Sequence, residues 1–218
     1  SEDDALDEAL LRATQGQQVL WLENTVDGAQ EKYRILAARA AEMAVECGLL
    51  HSRFTATQRS VNEAKWVHAF GKEGWATRSE QGRILVGTQV LEQSLDIDAD
   101  FLISRFAPTD MLFQRLGRLW RHAQTPRSNQ AVREAWFLAP PLSQAIEDPR
   151  LAFGKSAFVY APYVLCRSLQ VWQGKTHVSL PGDIRSFIDA TYIEQKDSGP
   201  MAVWCAELEE GTKFRRGR

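Results

Sequence analysis

The chain has 218 residues, of which 44% are hydrophobic and 25% charged, and its formal net charge is −2. This length suits one well-cored domain with at most a small appendage, and no apolar run approaches the ~20 residues that a membrane span needs. The acidic start SEDDALDEAL argues against a secretory signal or transit peptide, and the scattered Cys47, Cys166 and Cys205 argue against a disulfide frame or zinc site. We therefore expect a cytoplasmic protein.

Strand and helix patterns alternate along the first two thirds of the chain. Residues 3–14 predict a short acidic amphipathic helix. The predicted strands that come after it are 19–23, 49–53, 83–89, 101–105 and 135–139. The helical segments predicted between them are 27–46, with Gly48 as its stop, 56–70, a short turn at 90–95, and 109–120. Because parallel strands need crossover connections, this alternation predicts an α/β fold with a parallel sheet covered by helices on both faces.

The pattern changes after Pro140-Pro141, where strands stop and helices continue at 156–172 and 184–192, the latter with Asp183 as a candidate cap. Four segments are therefore predicted. They are an acidic helical lead-in at 1–15, a sheet-containing lobe at 16–145, a helical extension at 146–195 leading towards a further domain, and a flexible basic tail at 196–218.

The strongest chemical signal is the run QRLGRLWR at 114–121. On a helix, Gln114, Arg118 and Arg121 fall at about 0°, 40° and −20°, which is one narrow polar stripe beside a separate apolar face. Two arginines one turn apart repel each other unless a polyanion lies between them, and guanidinium forks match the oxygens of a nucleotide γ-phosphate. The alternative is a solvated arginine face with salt-bridge partners.

Small polar or basic residues follow three successive predicted strands, and the carboxyl ends of parallel strands share one edge. Thr88 would offer its hydroxyl and backbone amide to a phosphate there, and Asp96 could hold a ribose hydroxyl. The other residues of this predicted row are Asn24, Thr25, His51, Ser52, Arg53 and Gln89. Such a row can bind a nucleic-acid backbone without reading its sequence. Each segment could instead be an ordinary turn or helix start, with Ser94 or Asp96 as a local cap.

Four segments in this order and spacing resemble the motifs of the second RecA-like lobe of superfamily-two helicases. They are ENTVDGAQEKY, LLHSRF, VGTQVLEQSLDIDADFLISRFAPTDMLFQR and QRLGRLWRH. The sequences of these motifs most resemble those of the CRISPR-associated helicase-nucleases of type I systems. The later segments FVYAPYVLCRSL and LPGDIRSFIDATY resemble the segment after the lobe in that family. The resemblance covers residues 16–195, so the expected fold is a RecA-like sheet followed by a small helical extension.

The resemblance also implies roles for single residues. Arg118 and Arg121 would be arginine fingers on the γ-phosphate, and Gln114 would sense that phosphate or position the attacking water. Asp96 would touch the nucleotide ribose. The residues implied in contacts with or near the DNA backbone are Thr88, Ser52, Arg53, Asn24 and Thr25.

Members of the family use ATP with Mg²⁺ to move along single-stranded DNA from 3′ to 5′. A histidine-aspartate nuclease domain cuts the strand, which an RNA-guided surveillance complex presents. The sequence contains neither a phosphate loop nor an acidic Mg²⁺ motif. We therefore expect a first lobe, in the same protein or a separate chain, to hold most of the ATP site. The chain alone would then show no ATPase. Two alternatives are a lobe of a general superfamily-two DNA or RNA helicase and a non-catalytic docking module for a partner complex.

Overall fold

Five short strands form one parallel sheet in the order β2-β3-β1-β4-β5. The computed structural model describes residues 1–78, 80–92 and 95–216, with side chains described to residue 211. The strands are β1 (Gln18–Leu22), β2 (Glu46–Leu50), β3 (Arg83–Gly87), β4 (Phe101–Arg105) and β5 (Glu134–Leu138). Helices flank the sheet, which confirms the predicted α/β class.

Four helices accompany the strands: α1 (Glu2–Thr14), α2 (Val26–Ala41), α3 (Ala56–Phe70) and α4 (Thr109–Leu116). Short 3₁₀ turns occupy Lys72–Gly74 and Gln89–Glu92. Each helix was predicted, but α2 ends five residues before the predicted end at 46, and α4 ends four residues before 120. Of the turn predicted at 90–95, residues 93 and 94 lie outside the described residues, and so does Ser94 as a candidate cap.

Gly48 does not end a helix, as the sequence suggested, but lies in the middle of β2. An added Cβ at this position would come within 1.9 Å of Cζ2 of Trp66, which packs from α3 onto the strand. Any larger side chain would therefore collide with the indole ring. The glycine is explained by close helix-to-strand packing, which the local sequence does not reveal.

The acidic helix α1 is part of the sheet's core, whereas the sequence suggested a separate lead-in at 1–15. Its buried residues are Ala5, Leu6, Ala9, Leu10 and Ala13. They belong to the same apolar cluster as Val19 and Trp21 of β1 and Ile84 of β3. The acidic side chains of Asp3, Asp4 and Asp7 lie on the opposite, exposed face. A helix with one small apolar face and one charged face therefore seals this side of the sheet.

The chain divides into two units that are each contiguous in space. The first comprises residues 1–105 and 114–138, and the second comprises 106–113 and the chain from 139 onward. The second unit contains the helices α5 (Leu142–Glu147), α6 (Pro149–Phe153), α7 (Ser156–Val159), α8 (Pro162–Trp172), α9 (Ile184–Tyr192) and α10 (Pro200–Arg216). Its aromatic centre joins Phe113, Trp172 and Phe187, whose ring centroids lie 4.9–5.7 Å apart.

Two predictions for the second unit need correction. The helix predicted at 156–172 is broken before Pro162, because proline lacks the amide that would continue it. Asp183 precedes α9 as predicted, but its carboxylate accepts from the Ser179 amide at 2.7 Å and does not cap the helix. The predicted tail at 196–218 contains helix α10, and its residues 217 and 218 lie outside the described part.

None of the helices in the described ranges combines the length and the apolar character that crossing a bilayer requires.

Candidate nucleotide and nucleic-acid site

Arg118 and Arg121 do not lie on a helix, so the predicted helical stripe is wrong. Helix α4 ends at Leu116, and Leu119 then forms an isolated parallel bridge with Ala99, just before β4. The Trp120 amide donates to the Ala99 carbonyl at 3.0 Å. These bonds to the sheet replace the hydrogen bonds that would continue the helix. Gln114 alone of the three lies on α4, where its side chain is exposed.

Arg118 is buried, with 8% of its surface exposed, but its surroundings are polar. Its Nη1 donates to the Leu95 carbonyl at 2.8 Å and its Nη2 to the Glu92 carbonyl at 2.6 Å. Burial, followed by the positive charge of Arg121, lowers the pKa of the Arg118 guanidinium, while Asp96 and Glu92 act in the opposite direction. The two guanidiniums are therefore close enough to repel each other.

Asp96 holds the exposed part of this cluster together. Its Oδ1 lies 3.3 Å from Nε of Arg121 and 2.8 Å from Nε2 of His122, and Arg121 and Asp96 are each about two fifths exposed. The nearby Glu92 carboxylate is engaged elsewhere, by Arg115 at 2.7 Å. Arg121 thus pairs with a partly exposed carboxylate while Arg118 donates to main-chain carbonyls, and two cations in this place suit an anionic ligand.

The carboxyl ends of β2, β3 and β1 meet at one edge of the sheet, as the sequence predicted. Gly87 at the end of β3 is in register with both Leu50 of β2 and Leu22 of β1. The side chains of Ser52 and Arg53, which follow β2, are exposed, and Arg53 pairs with Asp27 at 2.8 Å. This edge therefore presents the Ser52 hydroxyl and the Arg53 guanidinium to solvent.

Three further members of the predicted row, Thr88, Asn24 and Thr25, are built into the edge. The Thr88 amide donates to the Leu50 carbonyl at 3.2 Å. Contrary to the expectation from the sequence, this amide is therefore not available to a phosphate. Asn24 is 3% exposed, and its Oδ1 accepts from Nη2 of Arg115 at 2.9 Å. Thr25 caps α2 by accepting from the Gly28 amide at 3.1 Å. Thr25 therefore has the geometry of an ordinary helix start, which was the alternative to a nucleic-acid contact.

Arg115, which sequence reasoning missed, is the central buried cation of this region and is 0% exposed. Besides Asn24 and Glu92, it donates to the Ser104 hydroxyl and the Arg105 carbonyl, both at 2.9 Å. It therefore connects the segment after β1, the turn after β3 and the end of β4. The sequence shows Arg115 next to Gln114 in the motif, but it does not show the partners of Arg115, which lie as far as 91 positions away in sequence.

His51 shapes the segment that carries Ser52 and Arg53. Its Nδ1 accepts from the Arg53 amide at 3.2 Å, and its ring stacks on Phe54 with 4.2 Å between centroids. Burial, followed by the positive charge of Arg53, lowers the pKa of His51. A protonated ring cannot accept at Nδ1, so the neutral form holds this turn.

We expect acid to loosen this turn. Neutral His51 should contribute its whole share of the free energy of unfolding above about pH 6.5, the ordinary histidine pKa. This contribution should be lost as the pH falls from there through the lowered pKa of His51, because the unfolded chain binds the proton more readily than the folded chain. Chemical denaturation at a series of pH values measures the effect. His51→Asn, which keeps an acceptor but does not titrate, should remove this part of the pH dependence. His68→Gln, at an exposed histidine, should leave it, and an unchanged profile in His51→Asn would contradict the assignment.

Comparison with known proteins places the chain in a family. The family model described as CRISPR-associated nuclease/helicase Cas3, C-terminal, matches residues 15–124. The CRISPR-associated endonuclease/helicase Cas3 of Escherichia coli (strain K12) is 35% identical over 221 aligned positions, covering 97% of this chain and 24% of that protein. The protein of the same name from Thermus thermophilus is 40% identical over 159 positions, covering 71% of this chain and 16% of its own length.

Solved structures agree with the sequence relatives. The crystal structure of T. fusca Cas3 superposes with a TM-score of 0.84 at 32% identity, over 99% of this chain and 24% of that one. Crystal structures named T. fusca Cas3-ADP, Cas3-ATP and Cas3-AMPPNP match at TM-scores of 0.81, 0.82 and 0.82. A chain of a CRISPR RNA-guided surveillance complex, pre-nicking, matches at 0.80 with 30% identity, over 100% of this chain and 26% of that one.

The chain spans 24% of the length of the E. coli relative, so it corresponds to one part of a larger protein in that case. The family model covers half of the chain, and the sheet superposes on the RecA-like lobe of Cas3. The chain therefore belongs to the Cas3 family of CRISPR-associated nuclease/helicases and corresponds to their C-terminal, RecA-like helicase lobe.

Proposed function

We propose that the chain is the C-terminal motor lobe of an ATP-dependent, single-stranded DNA translocase that acts in type I CRISPR interference in the cytoplasm. In this proposal it moves from 3′ to 5′, and a first lobe binds most of the ATP and Mg²⁺. Membership of the Cas3 family supports the helicase assignment. The nucleotides in the names of the related T. fusca structures support a nucleotide at this lobe.

The observation that carries the proposal is the placement of two arginines on one short segment, where Arg121 pairs with the partly exposed Asp96 carboxylate and Arg118 donates to the adjoining Leu95 carbonyl. A γ-phosphate arriving on the first lobe would neutralise both arginines and stabilise the charge that develops during phosphoryl transfer. Arg121 is partly exposed and could reach the phosphate directly, whereas Arg118 would first leave the two carbonyls that it contacts. Gln114 would sense the phosphate or position the attacking water, and Asp96 would exchange its cationic partners for the ribose.

The shared edge of β2, β3 and β1 supplies the proposed DNA contact. Ser52 and Arg53 are its exposed donors, so they would meet the phosphates first. Thr88, Asn24 and Thr25 would then act mainly by shaping the edge, because their contacts lie within the protein. Contacts of this kind bind a strand through its charge and not through its bases.

The proposed partners are a first helicase lobe, a histidine-aspartate nuclease domain and an RNA-guided surveillance complex that presents the DNA. Likeness to a chain in a structure named for such a complex supports the last of these. The first two are supported by the name of the E. coli relative, an endonuclease/helicase of which this chain spans 24%.

The test is ATP turnover by the chain alone and by the complete motor, with the first lobe supplied in one polypeptide or added in trans. We expect no turnover by the chain alone and turnover stimulated by single-stranded DNA in the complete motor. Stimulation by RNA that depends on the 2′-hydroxyl would instead indicate a general RNA helicase. Association of the two lobes without any nucleic-acid-stimulated turnover would leave a docking module and overturn the proposal.

A further inference from the structure

The loop that follows α4 adopts a backbone conformation that its side chains must enforce. Trp120 has a φ of 51°, in the left-handed region that bulky residues rarely occupy. Its indole Nε1 donates to the Asp100 carbonyl at 3.0 Å, and the Arg127 guanidinium lies over its ring, 4.5 Å from the centroid. Trp120 is thus held on both its backbone and its side chain, immediately before Arg121.

Asp98 fixes the next step of the loop. This carboxylate is 0% exposed and accepts from the Arg121 amide at 2.9 Å. It also accepts two bonds from Nη2 of Arg127, at 2.8 and 2.9 Å, and one from the Thr125 hydroxyl. The main chain of Arg121 is therefore anchored to a buried ion pair while its guanidinium extends to Asp96.

The charges of this buried group balance. Asp100 accepts from Arg127 and, at 2.9 Å, from Arg78, so two carboxylates face two guanidiniums. Each of the four side chains is at most 8% exposed. Such a neutral group of buried ion pairs is stiff, because any departure leaves a charge buried without its partner.

We infer that Asp98, Arg127 and Trp120 form a positioning clamp that sets the direction of Arg121. The clamp also bears on Arg118, whose carbonyl accepts from the Ala99 amide, next to Asp98, at 2.8 Å. This inference rests on the proposed function, in which the two arginines complete the ATP site. Arg127 lies beyond residues 15–124, the part matched by the family model, so that match says nothing about the role of Arg127. The clamp acts at a distance: its members shape the main chain on which Arg121 sits and do not themselves touch the phosphate.

A positioning role affects turnover in a specific way. If the clamp loosens, the loop samples other directions and the arginines meet the γ-phosphate in fewer encounters. The chemical step should slow, because the guanidiniums must be in place in the transition state. ATP binding should change little, because the proposed first lobe supplies most of it.

The experiment uses Arg127→Lys in the complete motor, with Arg83→Lys as the matched control. Lysine keeps the buried positive charge but loses the fork that spans Asp98 and Asp100 and the stacking on Trp120. Arg83 is similarly buried and bonds to Gln18, Gln81 and Glu46, all of which lie outside the loop. We expect Arg127→Lys to lower kcat between about tenfold and about a hundredfold with KM for ATP nearly unchanged. Arg83→Lys should lower Tm to a similar extent and leave kcat unchanged.

Amide hydrogen exchange across residues 119–122 provides a readout that does not depend on turnover. It should speed up in Arg127→Lys and stay as in the unmodified protein in Arg83→Lys. Unchanged exchange and kcat in Arg127→Lys, or an equal loss of kcat in both variants, would overturn the clamp. If alanine at Arg118 or Arg121 slows turnover while Arg127→Lys does not, the clamp alone fails. If alanine at both arginines has no effect, the proposed function fails.

Discussion

Replacing Arg118 by alanine is expected to lower kcat for DNA-stimulated ATP hydrolysis by the complete motor by on the order of a thousandfold or more. An arginine finger neutralises charge that appears only in the transition state, so KM for ATP should move far less. Arg118→Lys should recover little, since one ammonium cannot replace two guanidinium donors that now span the Glu92 and Leu95 carbonyls. Steady-state ATPase assays with saturating single-stranded DNA measure both constants.

Two controls separate this effect from loss of structure. Arg118→Ala also removes two hydrogen bonds, so its Tm must be measured beside its kcat. Arg39→Ala removes a guanidinium that is 41% exposed and paired with Asp7 on a remote helix, and it should leave turnover unchanged. If folded Arg118→Ala kept more than about a tenth of the original kcat, the arginine-finger role would be wrong, because a finger is worth far more than that.

Replacing Arg115 by methionine should produce the largest loss of stability, about 3–5 kcal/mol in the free energy of unfolding. Methionine fills part of the same space but leaves the Glu92 carboxylate buried without this cation, and the Ser104 hydroxyl and Asn24 amide lose the same donor. Urea denaturation of the 218-residue chain measures the change.

A second substitution tests the cause of that loss. Glu92→Leu together with Arg115→Met removes both charges, and the pair should regain a good part of the lost stability, since a buried ion pair can often be replaced by apolar residues. If the double variant were as unstable as Arg115→Met alone, the loss of stability would come from the lost bonds to Ser104 and Asn24 and from packing. A loss below about 1 kcal/mol in the single variant would show that Arg115 is not the hub inferred from its contacts.

Sequence reasoning succeeded where the local pattern decides the structure. β4 at Phe101–Arg105 and α9 at Ile184–Tyr192 coincide with the predicted ranges, because each is a short segment with clear periodicity and an unambiguous start. The shared edge of β2, β3 and β1 also followed from the alternation of elements alone.

It failed where distant residues decide. The helical pattern continues through Leu119 and Trp120, yet the main chain there bonds to Ala99, about 20 positions earlier, and the helix stops. In the same way, Asn24 looked like a free polar residue after a strand, but Arg115 reaches it from 91 positions away. Asp96 was singled out as a short carboxylate for a ribose hydroxyl, and this role stays a prediction, while its partners Arg121 and His122 could not be assigned without the fold.

The place of α1 affects how the lobe can be subdivided for study. The family match begins at residue 15, just past the end of this helix at Thr14. A gene fragment cut at that boundary would uncover Val19, Trp21 and their neighbours on a whole face of the sheet. It would also remove Glu2, which pairs with Arg105 at the end of β4 and with Lys32 of α2. A homology-defined start is therefore a poor guide to expression here, and preparations of the lobe should retain the first helix.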